Sequence, residues 1–346
     1  MKKTTAKKKL SRKVIERFSK PMDMRKLNRS TDWRVSAATR RAQDARRFSA
    51  ETVEVPCPVC KSLPHRPLAE VYGFRYVTCD TCTHVYVKNV PVPERLKAFY
   101  EGALEGVAMR PSEDLVQKDL YLTRVKDISI PKVEYVTKCL GKKGRWVDIG
   151  CGSGELLYAA RKRGWETTGY EIDPDEIYVA KDVFKLDVRR GYLDRANAAK
   201  MLEGASVVSF FSVLEHVADP VALVRLAGEF APKNAALVLE LPHHPSVSAL
   251  TNMAFPNLVA RHMLPPNHLS LFTDASVRHM LRQAGFSPSH VWYYGQDFYE
   301  LIGTVSALAG FRDEEALNKL LDAAGEFQKT IDARKLSDEV IVIARR

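Results

Sequence analysis

Trp146-Val147-Asp148-Ile149 runs directly into Gly150-Cys151-Gly152-Ser153-Gly154, and Glu155-Leu-Leu-Tyr-Ala-Ala160 follows without a break. A short apolar run bounded by glycines reads as a buried strand, and the Leu/Ala-rich stretch behind it reads as a helix. Glycine lacks the Cβ that would keep a ligand away from the backbone, so a strand–glycine turn–helix unit brings N–H groups close to whatever binds there. A dinucleotide fingerprint needs a third glycine in the sixth position of G-x-G-x-x-G. Counting from Gly150 that position is Glu155, and counting from Gly152 it is Leu157. The pyrophosphate reading fails on spacing.

Outward from this unit, apolar runs alternate with amphipathic helical stretches. The strands expected are Trp146–Ile149, Thr167–Glu171, Lys185–Arg189, Val207–Phe211, Ala235–Leu241, Val291–Tyr294 and Val340–Ala344. Such alternation predicts βαβ units and an α/β, Rossmann-like, mostly parallel seven-stranded sheet over residues 141–346. The second strand ends at Glu171, where a carboxylate can accept hydrogen bonds from two ribose hydroxyls.

Upstream, Cys57-Pro-Val-Cys60 and Cys79-Asp-Thr-Cys82 form two C-x-x-C knuckles. Each knuckle offers two thiolates from one tight turn, and two of them complete a tetrahedral zinc shell. A closed shell of four thiolates supports a fold and catalyses nothing, so residues 51–92 read as a structural zinc ribbon. His65 and His84 are surplus to that shell and read as ordinary polar residues. A helical connector spans 93–140.

The motifs together resemble one family. Val147-Asp-Ile-Gly-Cys-Gly-Ser-Gly154 is similar to the first motif of class I S-adenosylmethionine-dependent methyltransferases, and Glu171-Ile-Asp-Pro174 to their second. Phe210-Phe-Ser-Val-Leu-Glu-His-Val217 with Asp219-Pro220 resembles the fourth-strand segment of the small-molecule branch. Leu237-Val-Leu-Glu-Leu-Pro242 resembles the fifth strand and its exit, and His268-Leu-Ser-Leu-Phe-Thr273 extends the match. The ribbon resembles the N-terminal module of bacterial methyltransferases acting on sugars and related metabolites. The resemblance covers roughly residues 55–345.

It implies S-adenosylmethionine as cofactor and a small-molecule acceptor, with a sugar or similar polar metabolite expected. Asp148, Gly150, Gly152 and Gly154 would frame the methionine end. Glu171 would hold the ribose with Ile172 beside the adenine, and Ser212 would approach the methionine moiety. The third strand does not show the family's usual acidic residue for the adenine amine, and Tyr192 or Leu193 stands in for it.

Five of the nine histidines, His216, His243, His244, His262 and His268, fall at or after the ends of the fourth and fifth strands. Ligands of open α/β sheets bind beyond those carboxyl ends. A sulfonium methyl is already activated, so a hydroxyl acceptor needs alignment and a base for its proton, a task suited to histidine. His268 is the first choice, with His243, His244 and His216 as alternatives. The family's C-methylating members carry an acid before this histidine; Asn267 stands here, which points to O-methylation. The proline-rich segment 242–271 reads as a lid over the acceptor.

The formal charge of +11 is concentrated at one end, because residues 1–50 hold 17 Lys/Arg against 4 Asp/Glu. Residues 51–346 are near neutral, so no specific nucleic-acid partner is expected. Residues 1–50 read as a flexible basic tail. Its Leu10, Val14, Ile15 and Phe18 would share one face of a short helix able to touch an anionic membrane surface or another anionic partner. No run of 18 apolar residues occurs, and the basic N-terminus lacks the apolar core of a secretory signal, so a cytoplasmic protein is expected. Two other readings compete. One is an RNA or protein methyltransferase gripping its target through the tail; the other is a zinc-ribbon interaction protein with an inactive catalytic domain.

Overall fold

The computed structural model describes residues 13–20, 23, 26, 31–92, 94–96, 118–259, 261–311 and 313–346. In chain order, the tail supplies strand β1 (Ile15–Phe18) and helix α1 (Thr31–Ser49). The cysteine region supplies β2 (Thr52–Glu54), β3 (His65–Val71), β4 (Phe74–Cys79), β5 (Val85–Val87) and β6 (Asn89–Pro91). Of the connector, α2 (Lys118–Arg124), a π-helical turn over Val125–Ser129 and α3 (Ile130–Leu140) are described.

From there β7 (Arg145–Ile149), α4 (Glu155–Lys162), β8 (Glu166–Glu171), α5 (Pro174–Tyr178), β9 (Val188–Arg190), α6 (Ala198–Met201), β10 (Ala205–Phe211), α7 (Pro220–Phe230) and β11 (Ala236–Pro242) alternate. The chain continues through α8 (Val247–Ala254), β12 (Ser270–Leu271), α9 (Asp274–Gln283), β13 (Ser287–Tyr294), α10 (Asp297–Leu308), α11 (Glu314–Ala333) and β14 (Glu339–Arg345).

The main sheet has the order β1-β13-β14-β11-β10-β7-β8-β9, and β14 runs against its two neighbours while the other pairings are parallel. Its central strands are buried on both faces, with Val147, Val207, Val238 and Ile341 at the core. The order turns at β7, where β8 and β10 lie on opposite sides. That switch point puts a ligand crevice above the glycine turn.

Seven strands were expected and eight are present. The eighth, β1, corrects the reading of residues 1–50 as a separate tail. Ile15–Phe18 pair with β13 in place of the helix that the apolar spacing implies, while Leu10 lies outside the described residues. The reason is an open sheet edge. Phe18 stacks on Tyr293 at 5.7 Å, the Arg17 guanidinium sits 4.2 Å from the Trp292 ring centre, and Lys335 pairs with Glu16.

Helix α1 is folded onto the body as well. Its Arg34, Ala37, Ala38, Asp44, Ala45 and Phe48 are buried at helical spacing. Arg34 donates to Glu300 of α10 at 2.7 Å in a buried ion pair, and removing one partner of such a pair costs about 3–5 kcal/mol. Five arginines in this segment make it look like solvated chain, and its stripe of small residues is easily overlooked.

The cysteine region and the body share structure. β12, from the segment expected to be a lid, pairs antiparallel with β5, giving a second sheet of order β12-β5-β4-β3. His84 is fully buried at this seam, with Nε2 3.1 Å from the Ser270 hydroxyl and its ring 4.9 Å from Phe272. It is thus a seam residue, where sequence gave it no special role. Segment 242–271 is likewise no free loop. Its helix α8 is capped by Ser246, and Ser248 N–H donates to the buried carboxylate of Asp297 at 2.9 Å. No helix among the described residues is long and apolar enough to cross a membrane.

Candidate active site

The glycine turn sits above β7 with Gly150, Gly152 and Gly154 all at positive φ, at 70°, 52° and 81°. Their surroundings divide their roles. A Cβ on Gly150 would lie 2.7 Å from Val213, and one on Gly154 would lie 2.5 Å from Leu186. Both glycines are demanded by packing. Gly152 is different: the nearest atom to its missing Cβ is 3.9 Å away. Its open side is where a ligand can approach the backbone.

Glu171, at the end of β8, borders that opening. One carboxylate oxygen accepts from Gly152 N–H at 2.8 Å; the other accepts from Ile172 N–H at 2.6 Å and Asp173 N–H at 3.0 Å. The side chain is therefore fixed before any ligand arrives. Asp148 lies a layer beneath, buried in the sheet, and accepts from the Ser209 hydroxyl at 2.5 Å. Burial pushes its carboxyl up to about 7. Its position supports the turn from below. Tyr192 is about half exposed, at 46%, and Leu193 is buried in the core.

At the end of β10, Ser212 holds φ at 53°, unusual for a residue with a side chain. Its hydroxyl donates to Glu240 of β11 at 3.1 Å. Glu240 also accepts from Tyr294 at 2.7 Å and pairs with Lys132 of α3 at 2.6 Å. Sequence reading passed over Glu240, Lys132 and Tyr294. The signal was present, since a lone carboxylate within Leu237-Val-Leu-Glu-Leu241 must find partners when its strand is buried. Glu240 is thereby neutralised by Lys132 and ties β11 to α3 and to the turn after β10.

Beyond Ser212 the chain turns and presents Glu215 and His216. The His216 ring lies 4.8 Å from that of His268, edge-on, and His262 follows at 6.0 Å from His268. His216 Nδ1 is 2.8 Å from the Asn267 carbonyl, which can only accept, so Nδ1 donates there. Nε2 faces Glu215 at 3.7 Å. Burial holds the Glu215 carboxyl up at about 8. Ligand atoms of Glu215, His216 and His268 lie within 4.8 Å of one another, a set that a divalent metal could use.

His268 itself is half-buried, and its Nδ1 has no partner. Burial, helped by neighbouring His216, His262 and Arg261, holds the ring well below the usual histidine range. Its backbone carbonyl accepts from Tyr76 of β4 at 2.8 Å, so the ribbon's sheet helps to position it. His243 and His244 do not join this group. His243 Nδ1 is 3.1 Å from the Ser337 carbonyl and its Nε2 is 3.5 Å from Asp274. Of the four histidines proposed from sequence, the structure brings two together and sends two elsewhere.

The four cysteines do converge. Cys57 and Cys82 sulfurs are 3.6 Å apart, Cys60 and Cys79 3.5 Å, and all four lie within 4.8 Å of each other. Four thiolates around one zinc at about 2.3 Å stand about 3.8 Å apart by tetrahedral geometry. Without a cation the four cannot all ionise. The hydrogen bond from Cys82 pulls Cys57 down to about 5, while burial pushes Cys60 up to about 11.

This sheet order, with a glycine turn at the switch point and an acidic residue bordering it, defines an α/β Rossmann-like methyltransferase fold with a mixed sheet. Comparison with known proteins agrees: residues 123–291 match the protein family described as Methyltransferase domain. A segment is 31% identical over 106 residues to the ubiquinone biosynthesis O-methyltransferase of Alkalilimnicola ehrlichii, covering 28% of this chain and 42% of that protein. Another is 33% identical over 90 residues to the enzyme of the same name from Nitrosospira multiformis, covering 25% and 37%. The chain thus spans less than half the length of these curated relatives. Among solved structures, a SAM-dependent methyltransferase from Archaeoglobus fulgidus is 19% identical with a TM-score of 0.43, over 65% of this chain and 99% of that one.

Proposed function

We propose that the protein binds S-adenosylmethionine in the crevice above Gly152 and transfers its methyl group to a hydroxyl of a small polar acceptor. The observation that carries this reading is Gly152, open on its ligand side and bonded at 2.8 Å to a prefixed Glu171. Glu171 would accept from the ribose, Ile172 would lie against the adenine, and Ser212 would adjoin the methionine. When bound, the cofactor supplies an activated methyl group. The chain aligns the acceptor behind it and removes the acceptor's proton, and His268 takes that part with its neutral imidazole.

The names of the curated relatives support O-methylation. A saccharide acceptor rests on the sequence resemblance alone. A base held this weak is matched better to an acidic hydroxyl, such as a phenol of pKa about 10, than to an ordinary alcohol. The four cysteines would hold one structural zinc.

Incubation with methyl-labelled S-adenosylmethionine and a panel of phenols, catechols and sugars tests the reading. Label is expected in a methyl ether of a panel member. Label entering only RNA or protein would overturn the small-molecule reading.

A further inference from the structure

A cavity of about 640 Å³ lies at the seam between the cysteine region and the body. Its volume is in the range that holds a small organic ligand. Three separate parts of the chain build it: β3 and β4 with the Cys79–Cys82 turn, the exit from β11 with the start of α9, and the link from α11 to β14. No residue of the glycine turn or of the His268 group lines it.

The charge on its walls is one-sided. Arg66, Arg278, Arg334 and Lys335 all line it, against the single carboxylate of Asp274. That carboxylate is engaged, since the Tyr293 hydroxyl lies 2.9 Å from both its oxygens and His243 approaches at 3.5 Å. Asp80 holds Arg66 at 3.2 Å and Glu16 pairs with Lys335, both from outside the lining. Among the described residues, no ion pair joins Arg278 or Arg334. The wall residue His244 keeps a buried Nδ1 without a partner. The first turn of the ten-residue helix α9 also borders the space and adds its positive end. Leu68, Pro245 and Leu336 supply apolar surface for a ligand body.

We propose that this seam cavity binds a small organic phosphate, with Arg278 and Arg334 forking onto the phosphate oxygens. Guanidinium matches phosphate in two parallel hydrogen bonds, and Arg278 and Arg334 both line this one cavity. The inference is independent of the methyl-transfer reading, because it uses none of those residues.

Phenyl phosphate is the probe, titrated calorimetrically against the full chain at low salt. Saturable binding by the wild type is expected, and Arg278→Gln with Arg334→Gln should weaken it about tenfold or more. A charge-matched double variant elsewhere on the surface, Arg195→Gln with Lys319→Gln, should leave it unchanged. Far-ultraviolet dichroism checks that each variant is folded. Absence of saturable binding in the wild type overturns the proposal without reference to any variant. Equal weakening by both double variants, or undiminished binding by a folded cavity variant, overturns it too.

Discussion

Replacing His268 with alanine is expected to lower turnover by about 10²–10⁴-fold, the usual contribution of a general base, and to leave cofactor affinity nearly unchanged. The imidazole packs against His216 and His262, and the Gly152–Glu171 bond does not involve it, so its loss removes the base and leaves that bond in place. His243→Ala and His244→Ala are the controls. Both residues line the seam cavity, and turnover by either variant should stay near normal. The pH dependence carries a second signature. His268 is depressed below 6.5, so its neutral, active form is fully present above that value. Activity should be lost only as pH falls through the lower, folded value. If His243→Ala or His244→Ala loses turnover while His268→Ala keeps it, the assignment of the base is wrong.

Loss of any one of the four clustered cysteines should have the larger effect on folding. A Cys57→Ser or Cys79→Ser chain keeps three thiols, and zinc bound in such sites contributes about 10–16 kcal/mol of apparent free energy. Marginally stable domains do not survive a loss of that order. The damage should reach the active site, because β12 lies in the ribbon's sheet two residues from His268 and Tyr76 holds the His268 carbonyl. Acid should act on the same seam. His84 is depressed by burial to about 3, so its neutral ring contributes stability above about 6.5 that is lost as pH falls towards 3. Metal analysis should give one zinc per chain. A folded chain without zinc, with four freely titratable thiols, would contradict this.

Much of the catalytic face was legible because its signals are local. A strand, glycines at fixed spacing and an acid at the next strand end imply their own juxtaposition, and Gly152 with Glu171 lies as read. The cysteine knuckles are legible for the same reason, since each turn fixes two sulfurs.

What escaped depends on partners distant in sequence. Ile15–Phe18 became a strand because β13 offered an open edge, which no pattern within residues 1–50 reveals. The polar partners of Glu240 come from Lys132 and Tyr294, more than fifty residues to either side. Along the chain His268 stands out only by its motif, and nothing separates His216 from His243 and His244. The parting of His268 and His216 from His243 and His244 follows from β12 crossing to the ribbon's sheet, while β11 continues towards β14.

The most direct test of the central claim is calorimetric titration of the full chain with S-adenosylmethionine, beside Glu171→Gln and Glu171→Ala. The glutamine variant keeps the shape but removes the charge and turns one of the two accepting oxygens into a donor, whereas alanine removes all three bonds that hold the turn. Each ribose hydrogen bond to the carboxylate is worth about 1.5–3 kcal/mol. The wild type should bind one equivalent, with affinity falling at least tenfold in the glutamine variant and further in the alanine variant. A wild-type chain that takes up no S-adenosylmethionine, or three proteins that bind it equally well, would contradict the account.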